Sequence, residues 1–246
     1  MLAKVNQIDT RVRESNTDAA IYLLKLLRDE LAEGVLNESA VKSGQGAAVK
    51  VLRDLLKFSE SQKRKPIAYP WLDSQGRQCV TDGYRAFRVN SPLPLPARPD
   101  DAGPPVDLDS LVNPSLHTIP IDVPAPASIK AFIETHRAAY KVRNGNMKGF
   151  LSPIWDFGPG LPAVNAAYLL DLLTVMPDAT LTAQENVLRP IYCASSVGDA
   201  LLLPVRKNFK DDSYAKLFNA LDARIAERGD TFTPDEFEAA VAASNA

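Results

Sequence analysis

The sequence predicts an α+β fold made of two β-α-β-β-β halves, with helices added at the N- and C-terminal ends. Three observations carry this expectation. A helix-forming run followed by strand-like runs occupies residues 47–89, and the same order returns over residues 151–206. Between them lies a stretch, 91–127, rich in Pro, Asp and Gly and poor in periodicity, which reads as an excursion over the surface. The chain of 246 residues is 46% hydrophobic and 24% charged, enough apolar material to bury a core unaided. The expected division is a helical extension over 1–45, a main domain over 46–207 with an insertion at 91–150, and a helical tail over 208–246.

Taken in order, residues 17–33 read as an amphipathic helix. Thr17 is the expected N-cap, Ile21, Leu24, Leu27 and Leu31 recur at helical spacing, and Gly34 supplies the stop. A linker, Ser43-Gly-Gln-Gly46, leads into a second helix from Ala47 to Phe58. Val51, Leu52, Leu55 and Leu56 face inward there, and Lys50, Arg53 and Lys57 lie on its other side. After the charged run Lys63-Arg-Lys65, residues 66–72 alternate like a strand, Asp73-Ser-Gln-Gly76 is a turn, and residues 78–89 give one or two further strands. A helix beginning at Pro126 or Ala127 runs to Lys141 and is closed by Arg143-Asn-Gly-Asn146.

The second half has a sharper pattern. A strand at 154–157 precedes a Gly/Pro turn and then a helix over 164–175, with Asn165 near its cap and Tyr168, Leu169, Leu172 and Leu173 facing in. Strand-like runs follow at 179–182, 189–194 and 200–206. In the tail, Thr233-Pro-Asp-Glu236 is an N-terminal signature for the last helix.

Composition narrows the function classes. A formal net charge of −2 gives no global reason for tight nucleic-acid binding, so any DNA contact has to be local. Cys79 and Cys193 lack metal-ligand spacing and read as buried residues of a reducing cytoplasm. No run approaches the ~20 apolar residues of a membrane span. His117 and His136 are the only histidines, neither stands in a ligand motif, and His136 reads as an exposed helix residue. Gly44-Gln-Gly46 lacks the third glycine of a dinucleotide fingerprint, and Asp107 with Asp109 lacks a third ligand. No nucleophile is accompanied by a base. The expectation is a soluble, non-catalytic protein without cofactor or metal.

Three short segments resemble the bacterial DNA polymerase III beta sliding clamp. Val80-Thr-Asp-Gly-Tyr-Arg-Ala86 is similar to its Thr-Asp-Gly-His-Arg-Leu segment; Val164-Asn-Ala-Ala-Tyr-Leu-Leu-Asp-Leu-Leu173 resembles its Phe-Asn-x-x-Tyr-x-x-Asp-x-Leu helix; and Leu202-Leu-Pro-Val-Arg206 resembles its C-terminal Met-Pro-Met-Arg strand. The resemblance covers residues 47–207, apart from 91–150. It implies a single clamp-like domain, where a full ring needs six, and a role in DNA metabolism as a binding or scaffold protein of a phage or mobile element. The alternative is a clamp-derived protein-interaction domain that has no part in DNA binding.

In the clamp, the matched segments help build a pocket for short linear peptide motifs of partner proteins. Carried over residue by residue, the positions are Thr81, Gly83, Tyr84, Arg85 and Ala86, with Leu203, Pro204, Val205 and Arg206. Gly83 permits close backbone approach, Leu203, Pro204 and Val205 offer apolar walls, and Arg85 or Arg206 can meet a peptide carboxylate or carbonyl. The plain alternative is a turn at Thr81-Asp-Gly83 with arginines lying over it. In the clamp the two segments come from different domains, so here they are expected to meet in the chain or across a subunit contact of a homo-oligomer.

Clamp helices face the phosphates of duplex DNA. By that resemblance Lys50, Arg53 and Lys57 are the DNA-backbone candidates, with binding expected to be weak and without sequence preference. The outward residues expected on the second helix, Asn165, Ala166, Asp171 and Thr174, do not continue the basic surface. A solvated helix face followed by a charged turn is the favoured reading of these cations.

Overall fold

The computed structural model describes residues 2–13, 16–42 and 44–205. The class is α+β, with mainly antiparallel strand pairing and five α-helices among the described residues. Two compact units emerge. One comprises the described residues up to Asp82 with Val89–Val106, and the other Gly83–Arg88 with the described residues from Asp107 onward. The N-terminal helices belong to the same unit as the helix that follows them.

The first unit opens with α1 (Leu2–Arg13) and α2 (Thr17–Lys42), which pack together as a helical hairpin. Helix α2 does not stop at Gly34. A glycine inside a helix costs only ~1 kcal/mol relative to alanine, and the flanking Ala, Glu and Leu residues are strong helix formers. The capping side chain is Asn16 rather than Thr17: its Oδ1 accepts from the Ala19 amide at 3.2 Å. Helix α3 (Gly46–Ser61) buries Val49, Leu52, Leu55 and Leu56 and packs on β2 (Gln78–Thr81). All four residues of β2 are buried, so this strand is covered on both faces and shows no alternation.

Strand β1 is shorter than the sequence suggests, Trp71–Leu72 only, and residues 65–67 form a single 3-10 turn. Pro66 and Pro70 have no amide to give to a ladder, which removes most of 66–72 from the sheet. β1 pairs antiparallel with β2, Trp71 opposite Cys79 and Leu72 opposite Gln78. The connecting turn is held by Asp73, whose Oδ1 accepts from the amides of Gln75 and Arg77, both at 2.9 Å, while Oδ2 accepts from Arg77 Nε at 2.6 Å. Burial works against ionisation of this carboxyl, but the hydrogen bonds from Arg77 and Gln75 outweigh it and hold the pKa below the ordinary aspartate value.

In the second unit, β3 (Arg85–Val89) leads a sheet that also takes in β4 (Ile119–Ile121), a strand within the stretch expected to be irregular. Helix α4 (Pro126–Asn144) ends on Gly145 at φ 68°, a left-handed cap that glycine adopts without strain. A separate two-stranded ribbon pairs β5 (Ile154–Asp156) with β6 (Ala163–Asn165), so Val164 and Asn165 are strand rather than helix. Helix α5 (Ala166–Val175) follows at once, its first amides met by Asn165 Oδ1, 2.9 Å from Ala167 N and 3.2 Å from Tyr168 N.

The last strands are β7 (Thr180–Ala183), β8 (Ile191–Ser195) and β9 (Gly198–Leu202). The strand order in this unit is β3-β9-β8-β7-β4, with the β9-β8, β8-β7 and β7-β4 pairs antiparallel. The core beneath α5 consists of Leu169, Leu172, Met176, Ile191 and Leu202, all fully buried. The strand expected at 200–206 ends at Leu202, two residues before Pro204, which has no amide to continue a ladder. Arg206 and the expected tail 208–246, with its Thr233-Pro-Asp-Glu236 signature, lie outside the described residues.

Candidate peptide-binding site

Two of the sequence-matched segments are brought together within the second unit. The Leu203 amide, just beyond β9, donates to the Tyr84 carbonyl at the start of β3 over 2.9 Å. Pro204 interrupts the donors, and the Val205 amide then donates to the Ala163 carbonyl of β6 at 2.8 Å. No subunit contact is needed to join these segments. The consequence is an apolar step at the surface: Tyr84 is 42% and Leu203 40% exposed, with Pro204 and Val205 half-buried beside them.

The described matched positions differ in their surroundings. Gly83 sits at φ 85° and is exposed, so the chain enters β3 through a conformation that most side chains resist. Ala86 is buried and lines the interior rather than the surface. Thr81 is also buried and belongs to the first unit, where its carbonyl accepts from Ser59 Oγ at 3.5 Å; it is not part of the exposed step.

Arg85 departs most from the sequence expectation. Its side chain is only 8% exposed, forms an ion pair with Asp171, and lays its guanidinium 4.0 Å from the centre of the Tyr168 ring. An arginine committed to a carboxylate and an aromatic face is a brace for α5 and not a surface donor for a peptide. Tyr168, expected to face the core, is half-exposed, with its ring centre 6.1 Å from that of Tyr84. Asp171, expected to face outward, is the carboxylate of the brace. Neither role was visible in the sequence, since Arg85 and Asp171 are separated by 86 positions and no local pattern marks such a pair.

The basic surface of α3 is reduced. Lys50 and Lys57 are exposed, but Arg53 is buried and donates to the Pro94 carbonyl at 3.3 Å, which corrects its assignment to the outer face. The run after α3 is engaged as well: Arg64 donates to the Asp82 carbonyl at 3.1 Å, and Lys65 lies 3.4 Å from Asp101. In α5, Ala166 is fully buried, and Asn165 is spent on capping.

The two histidines and the aspartates Asp107 and Asp109 are engaged by their neighbours. His136 is buried and not exposed; its Nδ1 lies 2.8 Å from the Phe132 carbonyl, and burial pushes its pKa below the ordinary histidine value. His117 is buried between the carbonyls of Asn113 and Pro190, at 3.0 and 3.1 Å from its two ring nitrogens. Asp109 pairs with Arg88 at 2.9 Å, and Asp107 accepts from the Ser110 amide at 3.2 Å. Among the described residues, no group of three or more His, Cys, Asp or Glu side chains is arranged to hold a metal, and no helix is long and apolar enough to cross a membrane.

A concavity of about 340 Å³ lies in the first unit between Pro70, Trp71 and Leu72 on one side and Leu95, Pro96 and Arg98 on the other. Comparison with protein-family models, curated proteins and solved structures finds no match for this chain.

Proposed function

We propose that the chain is a non-catalytic, clamp-like binding protein that takes an extended peptide at the step formed by Tyr84, Leu203, Pro204 and Val205. The observation that carries this reading is the hydrogen bond from Leu203 to the Tyr84 carbonyl, which joins two segments similar to the clamp's peptide-binding segments and leaves an exposed tyrosine beside an exposed leucine. Supporting it, the element order α3-β1-β2-β3 is matched by α5-β7-β8-β9, and the third strands of the two series, β3 and β9, are neighbours. A peptide would be held by apolar side-chain burial together with main-chain hydrogen bonds at the ends of β3 and β9.

Of the two functional variants of this reading, a protein-interaction domain is favoured over a DNA sleeve. Burial of Arg53 leaves only Lys50 and Lys57 exposed among the three cations proposed to meet phosphates on α3. Two phosphate contacts give weak association that falls away with added salt.

The test is fluorescence anisotropy of the full chain with a panel of labelled nonapeptides carrying leucine and phenylalanine at alternate positions. Binding is expected to weaken at least about tenfold, ~1.4 kcal/mol, on Leu203→Ser or Tyr84→Ser. Both side chains are surface-exposed, so folding should be retained. Failure of every peptide to bind, or binding indifferent to both substitutions, would overturn the proposal.

A further inference from the structure

The outer edge of β1 borders the concavity between Trp71 and Arg98. β1 pairs with β2 and with no other strand. Along an antiparallel ladder, hydrogen-bonded and non-hydrogen-bonded residue pairs alternate. The Asp73 amide donates to the Arg77 carbonyl at 3.0 Å, which makes Asp73–Arg77 a bonded pair and Leu72–Gln78, the next in register, a non-bonded one. The Leu72 N–H and C=O therefore point away from β2, and Leu72 is 60% exposed. Pro96, across the concavity, has no amide with which to close this edge.

Charge gives the concavity a preference. Pro70, Trp71 and Leu95, which line it, are all buried. Arg98 lines it too, half-buried, with its guanidinium carbon 6.0 Å from the centre of the Trp71 ring. Its hydrogen bonds go to the carbonyls of Pro66, Tyr69 and Gly103, neutral groups that orient the cation without cancelling it. Among the described residues no carboxylate pairs with Arg98: Asp73 is held by Arg77, and Asp101 by Lys65. A guanidinium has five N–H donors, so some remain for a ligand.

We infer that this edge takes an extended peptide bearing an acidic side chain, with its main chain on Leu72, an apolar side chain in the concavity and the carboxylate on Arg98. Sheet edges capture peptides by main-chain hydrogen bonds, and adjoining pockets select the side chains. The volume of about 340 Å³ is at the small end of the ~300–1,000 Å³ range of ligand pockets, which suits a side chain rather than a dinucleotide. A second copy of this chain fits less well, because it would bring an identical uncompensated Arg98 to the same edge. The inference is independent of the peptide step, which lies in the other unit.

The probe is a set of labelled Val/Thr heptapeptides, acetylated and amidated, in which a single Glu is moved along the sequence; anisotropy is read against the full chain. Binding is expected at a preferred Glu position, at least about tenfold tighter than for the Lys peptide of the same register. Arg98→Gln should abolish that preference. Leu72→Pro should weaken the Glu peptide at least about tenfold, and folding should be retained, since the N–H it removes is not one that β2 uses. If Arg98→Gln unfolds the first unit, the Glu–Lys comparison and Leu72→Pro decide the question. No binding at any Glu position, equal binding of the Glu and Lys peptides, or indifference to Leu72→Pro would each overturn the inference. Loss of binding on Leu203→Ser instead of Leu72→Pro would overturn it in favour of the step in the other unit, and a dimer abolished by Leu72→Pro in favour of a second copy.

Discussion

The buried cluster around Arg88 makes a sharp test of what holds the second unit together. Arg88 Nε and an η-nitrogen reach the two oxygens of Asp199 at 2.6 and 2.7 Å, and the other η-nitrogen reaches Asp109 at 2.9 Å. Burial disfavours the cation, yet the paired carboxylates keep its pKa above the ordinary arginine value. Side-chain exposures of 6% for Arg88, 13% for Asp199 and 35% for Asp109 rank the partners. Arg88→Met retains the apolar stem but strands the nearly buried Asp199 carboxylate. Removing one member of a buried pair costs ~3–5 kcal/mol, and the methionine recovers part of the packing, so the expected loss is ~3–4 kcal/mol. Asp109→Asn should cost ~1 kcal/mol or less, since that carboxylate is a third exposed and rehydrates easily. The assay is urea unfolding followed by Trp155 fluorescence in a Trp71→Phe background, so that the signal reports the second unit alone. With a denaturant slope of ~2 kcal/mol/M, the midpoint should fall by ~1.5–2 M in Arg88→Met. A fall corresponding to less than ~1 kcal/mol, or an Asp109→Asn effect as large as that of Asp199→Asn, would refute the assignment of Arg88–Asp199 as the main buried pair.

Two further outcomes follow from the titrating groups. Asp178 is hydrogen-bonded by the Ser195 hydroxyl and the Ser196 amide, which hold its pKa at about 2 against an ordinary 3.8. Its contribution to stability is therefore complete above the ordinary value and is lost as pH falls through about 2; a carboxyl resonance of Asp178 titrating near 3.8 would exclude the bond. Burial, reinforced by Asp199 and Asp178, pushes the Cys193 thiol up to about 12, so iodoacetamide at pH 8 should label it only after unfolding, and stoichiometric labelling of the native protein would contradict this.

Legibility in the sequence followed the range of the interactions. Helices α3 and α5 and the three strands after α5 were readable because the apolar spacing and the Asn165 cap act within a few residues. The elements missed or misplaced depend on distant partners. Strand β4 has only three residues, one of them proline, and exists because β7 runs beside it. Tyr168 and Asp171 were assigned the wrong faces because their surroundings are set by Arg85, on a strand far away in sequence. The burial of Arg53 likewise depends on the Pro94 carbonyl, which helical periodicity cannot register. The proposed peptide step was partly legible: Tyr84 and Leu203 meet, whereas Thr81 belongs to the first unit and Arg85 is turned inward as a brace.

The side-chain amide of Gln78 donates to the Leu93 carbonyl at 3.1 Å and accepts from the Leu93 amide at 2.9 Å, so it satisfies both backbone groups of that residue as a neighbouring strand would. In effect the proline-rich stretch is pegged by a side chain where a ladder would otherwise be required. A peg secures one residue without dictating how many must follow it. Beyond Leu95 the stretch is held in the same manner, by side chains and not by a ladder: Arg98 donates to the carbonyls of Pro66, Tyr69 and Gly103 at 3.1, 3.3 and 2.7 Å. A change of length between two such pegs need not shift any strand pairing, and lengthening a surface loop costs little.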